Sequence, residues 1–350
     1  MESKLYLLNI AVSGIKNIKE EVCLNFYKKT IDKNFNPEKY RVKAIYGENG
    51  SGKSAIITAV KIFQDLIFHD NYLGESKTQI FLDEIINKVT HTFCFSCEFL
   101  FDDAKTVYQY SVHIGKSRNG LYEIQSEILQ VKSGNYANNR YQTIFEVKNG
   151  ELIDIHCVEE HKTALQRKSL NLLTSHSFIH LYFINLDEYA MLETDNHSKE
   201  LLFHLISFMI FLLQITIYLG EEDQHELYFL QKRLKDNGLG QQTLIDELLE
   251  QGNYPDLVAN ISEKHIKKEY FAKYKEKVDR LTHFIRIFKN DLVSIDIDAK
   301  ENGEYYICEL NLNYGNYIIN KEFESTGIKK LIRLFDCFMS ASKGGIVFVD

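Results

Sequence analysis

Apolar and polar residues alternate with a period of two toward both ends of the chain and with a period near 3.6 through much of its middle. Residues 3–12 and 22–27 predict two strands around a polar turn. A polar connection covers 28–40, and Arg41–Tyr46 (RVKAIY) then predicts a strand bounded by Gly47. Ile56, Val60, Phe63 and Ile67 recur at helical spacing, which predicts a helix from Ser54 to about Phe68. Residues 76–89 predict another helix. From Thr90 to Ile155, short alternating segments are separated by Arg118-Asn119-Gly120, Gly134-Asn135 and Asn149-Gly150. Such turn signals between alternating runs predict an antiparallel β meander.

The pattern changes near residue 159. From there to about 289 it is helical, with breaks at Asn237-Gly238-Leu239-Gly240 and Gly252-Asn253-Tyr254-Pro255. Strands return at 291–298, 304–312 and 317–323, followed by a helix from Thr326 to Ser342 and a strand from Ile346 to Asp350. This order predicts one discontinuous α/β domain. Its lobes are 1–160 and 290–350, a helical insertion fills 161–289, and the two ends are expected to complete one sheet. The apolar run Leu201–Leu219 has the length of a membrane span. It carries His204, Ser207, Gln214 and Thr216 and lacks flanking Lys/Arg bias, so a buried helix is expected and no membrane partner.

Composition narrows the class. Only two prolines, Pro37 and Pro255, occur in 350 residues, which excludes Pro-rich linkers and collagen-like segments. A net charge of −8 makes the chain a poor non-specific ligand for nucleic acid or anionic membrane. The six cysteines are scattered through apolar runs, as in a reduced, cytoplasmic protein. Cys94 and Cys97 fall on opposite faces of a strand and are expected in the core rather than on a metal. His176 and His180 have metal-compatible spacing, but no carboxylate pair accompanies them, and a structural role is expected. Residues 264–289 carry Lys264, Lys267, Lys268, Lys273, Lys275, Lys277, Arg280, Arg286 and Lys289, interleaved with Tyr270, Phe271, Tyr274 and Phe284. A basic helix of this kind is either a nucleic-acid contact or a solvated face with aromatics turned to a neighbour; the second is favoured.

The sharpest chemistry lies at Gly47-Glu48-Asn49-Gly50-Ser51-Gly52-Lys53-Ser54, which satisfies G-x-x-x-x-G-K-[ST] between an expected strand and a helix. Glycines let successive N–H groups curl around an anion, and the helix N-terminus adds partial positive charge. Lys53 supplies a point charge for β- and γ-phosphates, and the Ser54 hydroxyl is a hard oxygen suited to Mg²⁺. ATP and Mg²⁺ are therefore the expected cofactors.

The form GxNGSGKS resembles the ABC-type ATPases of the SMC/RecF class. The opening LYLLNIAVSGIKNIKEEVCLNF is similar to that class's first hairpin, with Lys16 where many relatives carry Arg. Phe323-Glu324-Ser325-Thr326-Gly327-Ile328-Lys329-Lys330-Leu331 resembles its degenerate signature motif, and GGIVFVD, ending at Asp350, resembles a Walker B strand. The meander at 105–131 resembles that of OLD-like and abortive-infection ATPases of bacterial anti-phage systems. The resemblance covers 1 to about 160 and 290–350. It implies a P-loop NTPase fold, an ABC-type ATPase head with an antiparallel β meander and a helical insertion.

It implies ATP sandwiched in a homodimer or higher oligomer, with Ser325 and Gly327 reaching the γ-phosphate of the other protomer. Asp350 is implied to hold the Mg²⁺ water shell, and an effector toxin or nuclease is implied as partner. The catalytic glutamate that normally follows the Walker B aspartate would come after Asp350, where the sequence stops. A truncated chain with slow hydrolysis and retained binding is therefore expected. No Q-loop is evident; Gln64 and Gln109 are weak candidates. Two other readings remain open: a RecF/SMC-like ATPase that clamps DNA, and a nucleotide-binding scaffold without turnover.

Overall fold

The computed structural model describes residues 5–26, 42–101, 106–134, 140–184, 196–218, 261 and 264–350. The chain is α/β, built around a large antiparallel sheet with helices. It divides into two compact units. The first comprises 1–213, 239–241 and 349–350, and the second 214–238 and 242–348. The breaks expected at 237–240 and 252–255 lie outside the described residues.

The first unit holds a seven-stranded sheet in the order β2-β1-β3-β4-β5-β6-β7. The strands are β1 (Leu5–Ser13), β2 (Val22–Asn25), β3 (Thr92–Phe101), β4 (Thr106–Lys116), β5 (Tyr122–Ser133), β6 (Gln142–Lys148) and β7 (Glu151–Ile155). Each neighbouring pair is antiparallel. The expected meander is thus present. At Asn149-Gly150 both residues have positive φ, 50° and 79°, the geometry that joins two strands through a tight turn.

Period-two alternation places Phe93, Phe95, Cys97 and Phe99 inward from β3, while Cys94 lies on the other face, half-buried. Helix α1 (Lys53–Phe68) packs there: the Phe63 ring stacks on Phe95 at 4.4 Å and meets Tyr110 at 5.1 Å. Helix α5 (Asn196–Leu213) adds Phe211 on Phe99 at 4.0 Å and Phe208 against Tyr110 at 4.9 Å. Stacked Phe and Tyr rings so supply the bulk of a core built without tryptophan. Helices α2 (Ser76–Ile85), α3 (Glu159–Ser169) and α4 (Phe178–Ile184) complete the unit.

The second unit contains β8 (Ile215–Tyr218) paired with β13 (Ile346–Val349), and a four-stranded sheet of β9 (His265–Lys267), β10 (Ser294–Asn302), β11 (Tyr305–Asn313) and β12 (Ile318–Asn320). Helices α6 (Phe271–Arg286) and α7 (Thr326–Ser342) share one core with these strands. Val278, Leu281, Ile285, Leu310, Leu312, Ile332 and Phe335 meet in it. The bounds of α7 match the sequence reading, and its inner face is Ile328, Ile332 and Phe335.

Four expectations are corrected. Residues 42–46 form no strand, and Val42 and Tyr46 are 89% and 91% exposed. A short apolar run becomes a strand only where a sheet edge takes its backbone. The last strand, β13, pairs with β8 and not with the sheet of β1 and β2, so among the described residues the two ends do not complete one sheet. The run Leu201–Leu219 is not one helix: α5 stops at Leu213, Gln214 turns the chain, and β8 follows. Among the described residues no helix is long and apolar enough to cross a membrane. Finally, 264–289 is not one basic helix, because β9 and a 3-10 turn (Lys268–Tyr270) precede α6.

Candidate phosphate-binding site

Local geometry at Gly47–Ser54 follows from its glycines. Gly50 and Gly52 have φ of 81° and 97°, a left-handed conformation that costs a side-chain-bearing residue about 1–2 kcal/mol. A Cβ on Gly52 would lie 2.9 Å from Asn17 Oδ1 and 3.0 Å from Ile18, so the turn between β1 and β2 packs under the loop. Asn17 Nδ2 donates to Gly50 O at 2.5 Å and fastens the two together. Sequence reading missed Asn17; only its place in the hairpin turn hints at the role.

Lys53 is the first residue of α1. Its Nζ folds back over the loop and donates to Gly47 O and Glu48 O, both at 2.8 Å. Gly47, Glu48, Asn49, Gly50 and Ser51 are exposed, and Ser54 is half-buried in the first turn. Gly52 caps α1 with no side-chain hydrogen bond, and the first turn carries no acidic residue. The first N–H groups of a helix have no intrahelical partner. An uncapped N-terminus beside a flexible glycine loop and a lysine ammonium is therefore suited to an anion of several oxygens. From Ala55 to Ile67 nearly every residue of α1 is buried, so the loop is mounted on a rigid base.

The second candidate group lies in the second unit. Ser325 caps α7, its Oγ accepting from Ile328 N at 3.4 Å. Glu324 braces it, accepting from Ser325 N at 2.8 Å through Oε2 and from Tyr314 Oη at 2.6 Å through Oε1. Ser325, Thr326 and Gly327 are exposed, and a Cβ on Gly327 would meet nothing within 4 Å. Nothing among the described residues thus demands glycine at 327. Asp350 follows β13 and is exposed.

The remaining candidates are structural. Gln64 is buried and donates to Leu212 O at 3.4 Å, while Gln109 is half-buried in β4. Burial pushes the Cys97, Cys94 and Cys337 thiols above their ordinary range, Cys337 to about 11, as for inert core thiols. His180 is buried with Nδ1 against Ile67 O at 2.9 Å. The basic residues of 264–289 are largely engaged. Lys277 pairs with Asp336 at 2.6 Å, Lys264 with Glu322 at 3.6 Å and Lys289 with Asp291 at 3.0 Å. Lys268 pairs with Glu301, and Lys275 lies over the Phe271 ring. The solvated-face reading is therefore the better description, with Tyr274 buried in the core.

One group escaped the sequence reading. His156, His197 and Glu200 converge in the first unit, the only described trio of metal-capable side chains with donor atoms within 4.8 Å of one another. The i, i+3 spacing of His197 and Glu200 on a helix is the signal that was available. No protein-family model matches the chain, and no curated protein matches its sequence.

Proposed function

We propose that the chain is an ATP-binding switch protein of the P-loop NTPase type, resembling an ABC-type ATPase head. The observation that carries this reading is the exposed glycine loop on the uncapped start of α1, with the Lys53 ammonium drawn over it. In the free chain the Gly47 and Glu48 carbonyls occupy that ammonium. A nucleotide's β- and γ-phosphates compete for it with full negative charge, and charge-assisted bonds are about twice as strong as neutral ones. Nucleotide binding thus moves Lys53 from the loop carbonyls to the phosphates, and the helix N-terminus faces the same anion.

Ser54 and Asp350 are the residues that would hold Mg²⁺, which supplies charge neutralisation to the phosphates. Ser54 fits as a hydroxyl oxygen in the helix's first turn, and Asp350 as an exposed carboxylate. Ser325 and Gly327 are proposed to reach the γ-phosphate bound by a second copy. Their exposure, and a glycine that no described neighbour requires, support that role. ATP then closes two protomers, and closure signals to an effector. The resemblance to abortive-infection ATPases makes a toxin or nuclease in bacterial anti-phage defence, acting in the cytoplasm, the proposed setting. The ion pairs along 264–289 lower the free positive charge available to track DNA, so the clamp reading ranks second.

Lys53→Ala tests the site. Losing charge-assisted bonds worth about 1.5–3 kcal/mol each should lower ATP affinity at least about a hundredfold by calorimetry. Unchanged affinity in a variant with the same circular dichroism overturns the assignment.

A further inference from the structure

We propose that His156, His197 and Glu200 form a binding site for a divalent transition metal of the zinc class. The site lies on the first unit and uses none of the nucleotide-binding residues. Its parts come from separate elements. His156 follows β7, and its backbone N–H is fixed on Ile144 O at 2.8 Å. His197 and Glu200 stand one turn apart on α5 and share a face of the helix. The start of α5 is itself pinned. Ser198 is 5% exposed, and its Oγ bonds His161 Nδ1 of α3 at 2.6 Å.

The donor atoms already converge. His156 Nε2 is 2.9 Å from Glu200 Oε2, and His197 Nδ1 is 4.0 Å from the same oxygen. The two imidazole rings meet edge to face at 5.3 Å. Zinc bonds of about 2.0–2.1 Å set roughly 3.3 Å between donor atoms in a tetrahedron. The remaining closure is small and falls on His197 and Glu200, whose side chains are 62% and 60% exposed and free to change rotamer.

Chemistry selects the metal. Two imidazoles and one carboxylate suit Zn²⁺, Co²⁺, Ni²⁺ or Cu²⁺, whereas Mg²⁺ and Ca²⁺ prefer all-oxygen sites. Three protein ligands leave a fourth position open to water. The helix N-terminus opposes a cation with about half an elementary charge, but the full charge of Glu200 outweighs it. His204, one turn along α5, stays outside the group, with Nδ1 on Tyr108 Oη at 3.0 Å.

The test uses the full chain stripped with chelator, then titrated with Zn²⁺ by calorimetry and with Co²⁺ by visible absorption. The expected result is a zinc site that excess Mg²⁺ does not displace and cobalt bands without thiolate charge transfer. His197→Ala and Glu200→Gln, both at exposed positions, should each weaken that site at least about a hundredfold. Lys53→Ala should leave it unchanged, which separates this proposal from the nucleotide site. Zinc affinity equal to wild type in both variants, thiolate bands with cobalt, or no zinc binding would each overturn the assignment.

Discussion

Glu127 is fully buried in the first unit and offers a pH-dependent stability that the fold itself dictates. Its Oε1 accepts from Tyr110 Oη at 3.0 Å and Ser177 Oγ at 2.6 Å, and its Oε2 accepts from Phe178 N at 2.8 Å. These three donors favour the ionised form, but desolvation is larger and pushes the carboxyl up to about 7 from 4.5. Between those two values the folded chain keeps a proton on Glu127 that the unfolded chain has released. Stability from this group is therefore complete below about pH 4.5 and is lost as pH rises through about 7. At about 1.4 kcal/mol per tenfold change in proton affinity, the loss is roughly 3 kcal/mol.

Glu127→Gln removes the titration and keeps the shape. Its amide oxygen takes the Phe178 N–H, and its amide nitrogen donates to the two hydroxyls, which can both accept. Urea unfolding followed by circular dichroism at pH 5 and pH 8 reads the effect. The variant should lie within about 1 kcal/mol of wild type at pH 5 and exceed it by roughly 2–3 kcal/mol at pH 8. His204 works in the opposite direction. Burial holds its pKa near 4, so its contribution is lost as pH falls from 6.5 through about 4. It is common to both proteins, and only their difference isolates Glu127. Parallel pH profiles for the two proteins would refute the buried-carboxyl account.

Other substitutions probe the remaining claims. Gly52→Ala should destabilise the first unit by about 1–2 kcal/mol, through its left-handed φ and the contact with Asn17, read as a lower urea midpoint. Asp336→Ala removes the ion pair to Lys277 and the acceptor of Ile261 N, and should cost about 1–3 kcal/mol in the same measurement. Ser325→Ala removes the α7 cap at a cost of about 1 kcal/mol in urea unfolding. Ser325→Arg should keep ATP affinity and block ATP-driven association; dimers still forming with ATP in sedimentation would sink the trans role.

Local signals carried far in this chain. The 3.6-residue period located α1 and α7, and turn chemistry at Asn149-Gly150 located a hairpin, because both depend on neighbours in sequence. The same holds for the glycine loop at 47–54, where Gly50 and Gly52 take the left-handed backbone that glycine adopts freely. Strand pairing depends instead on which edge is free. Residues 42–46 read as a strand yet form none, and the apolar run after α5 turns at Gln214 into β8, because β13 supplies an edge there. The basic segment 264–289 read as one basic helix with a solvated face. Its acidic partners, Glu301, Glu322 and Asp336, lie too far along the chain to be paired by inspection.

What the sequence determined by itself is therefore what short range can encode: helix periods, caps, turns and the glycine loop at the start of α1. What only the tertiary structure decided is which distant groups meet. Glu127 became a buried carboxyl because α4 closes over β5, and His156 met His197 and Glu200 because α3 pins the start of α5. The physical reason is the same in both cases. Desolvation and convergence of donor atoms are properties of packed neighbours, and no spacing along a chain fixes them until the core has formed.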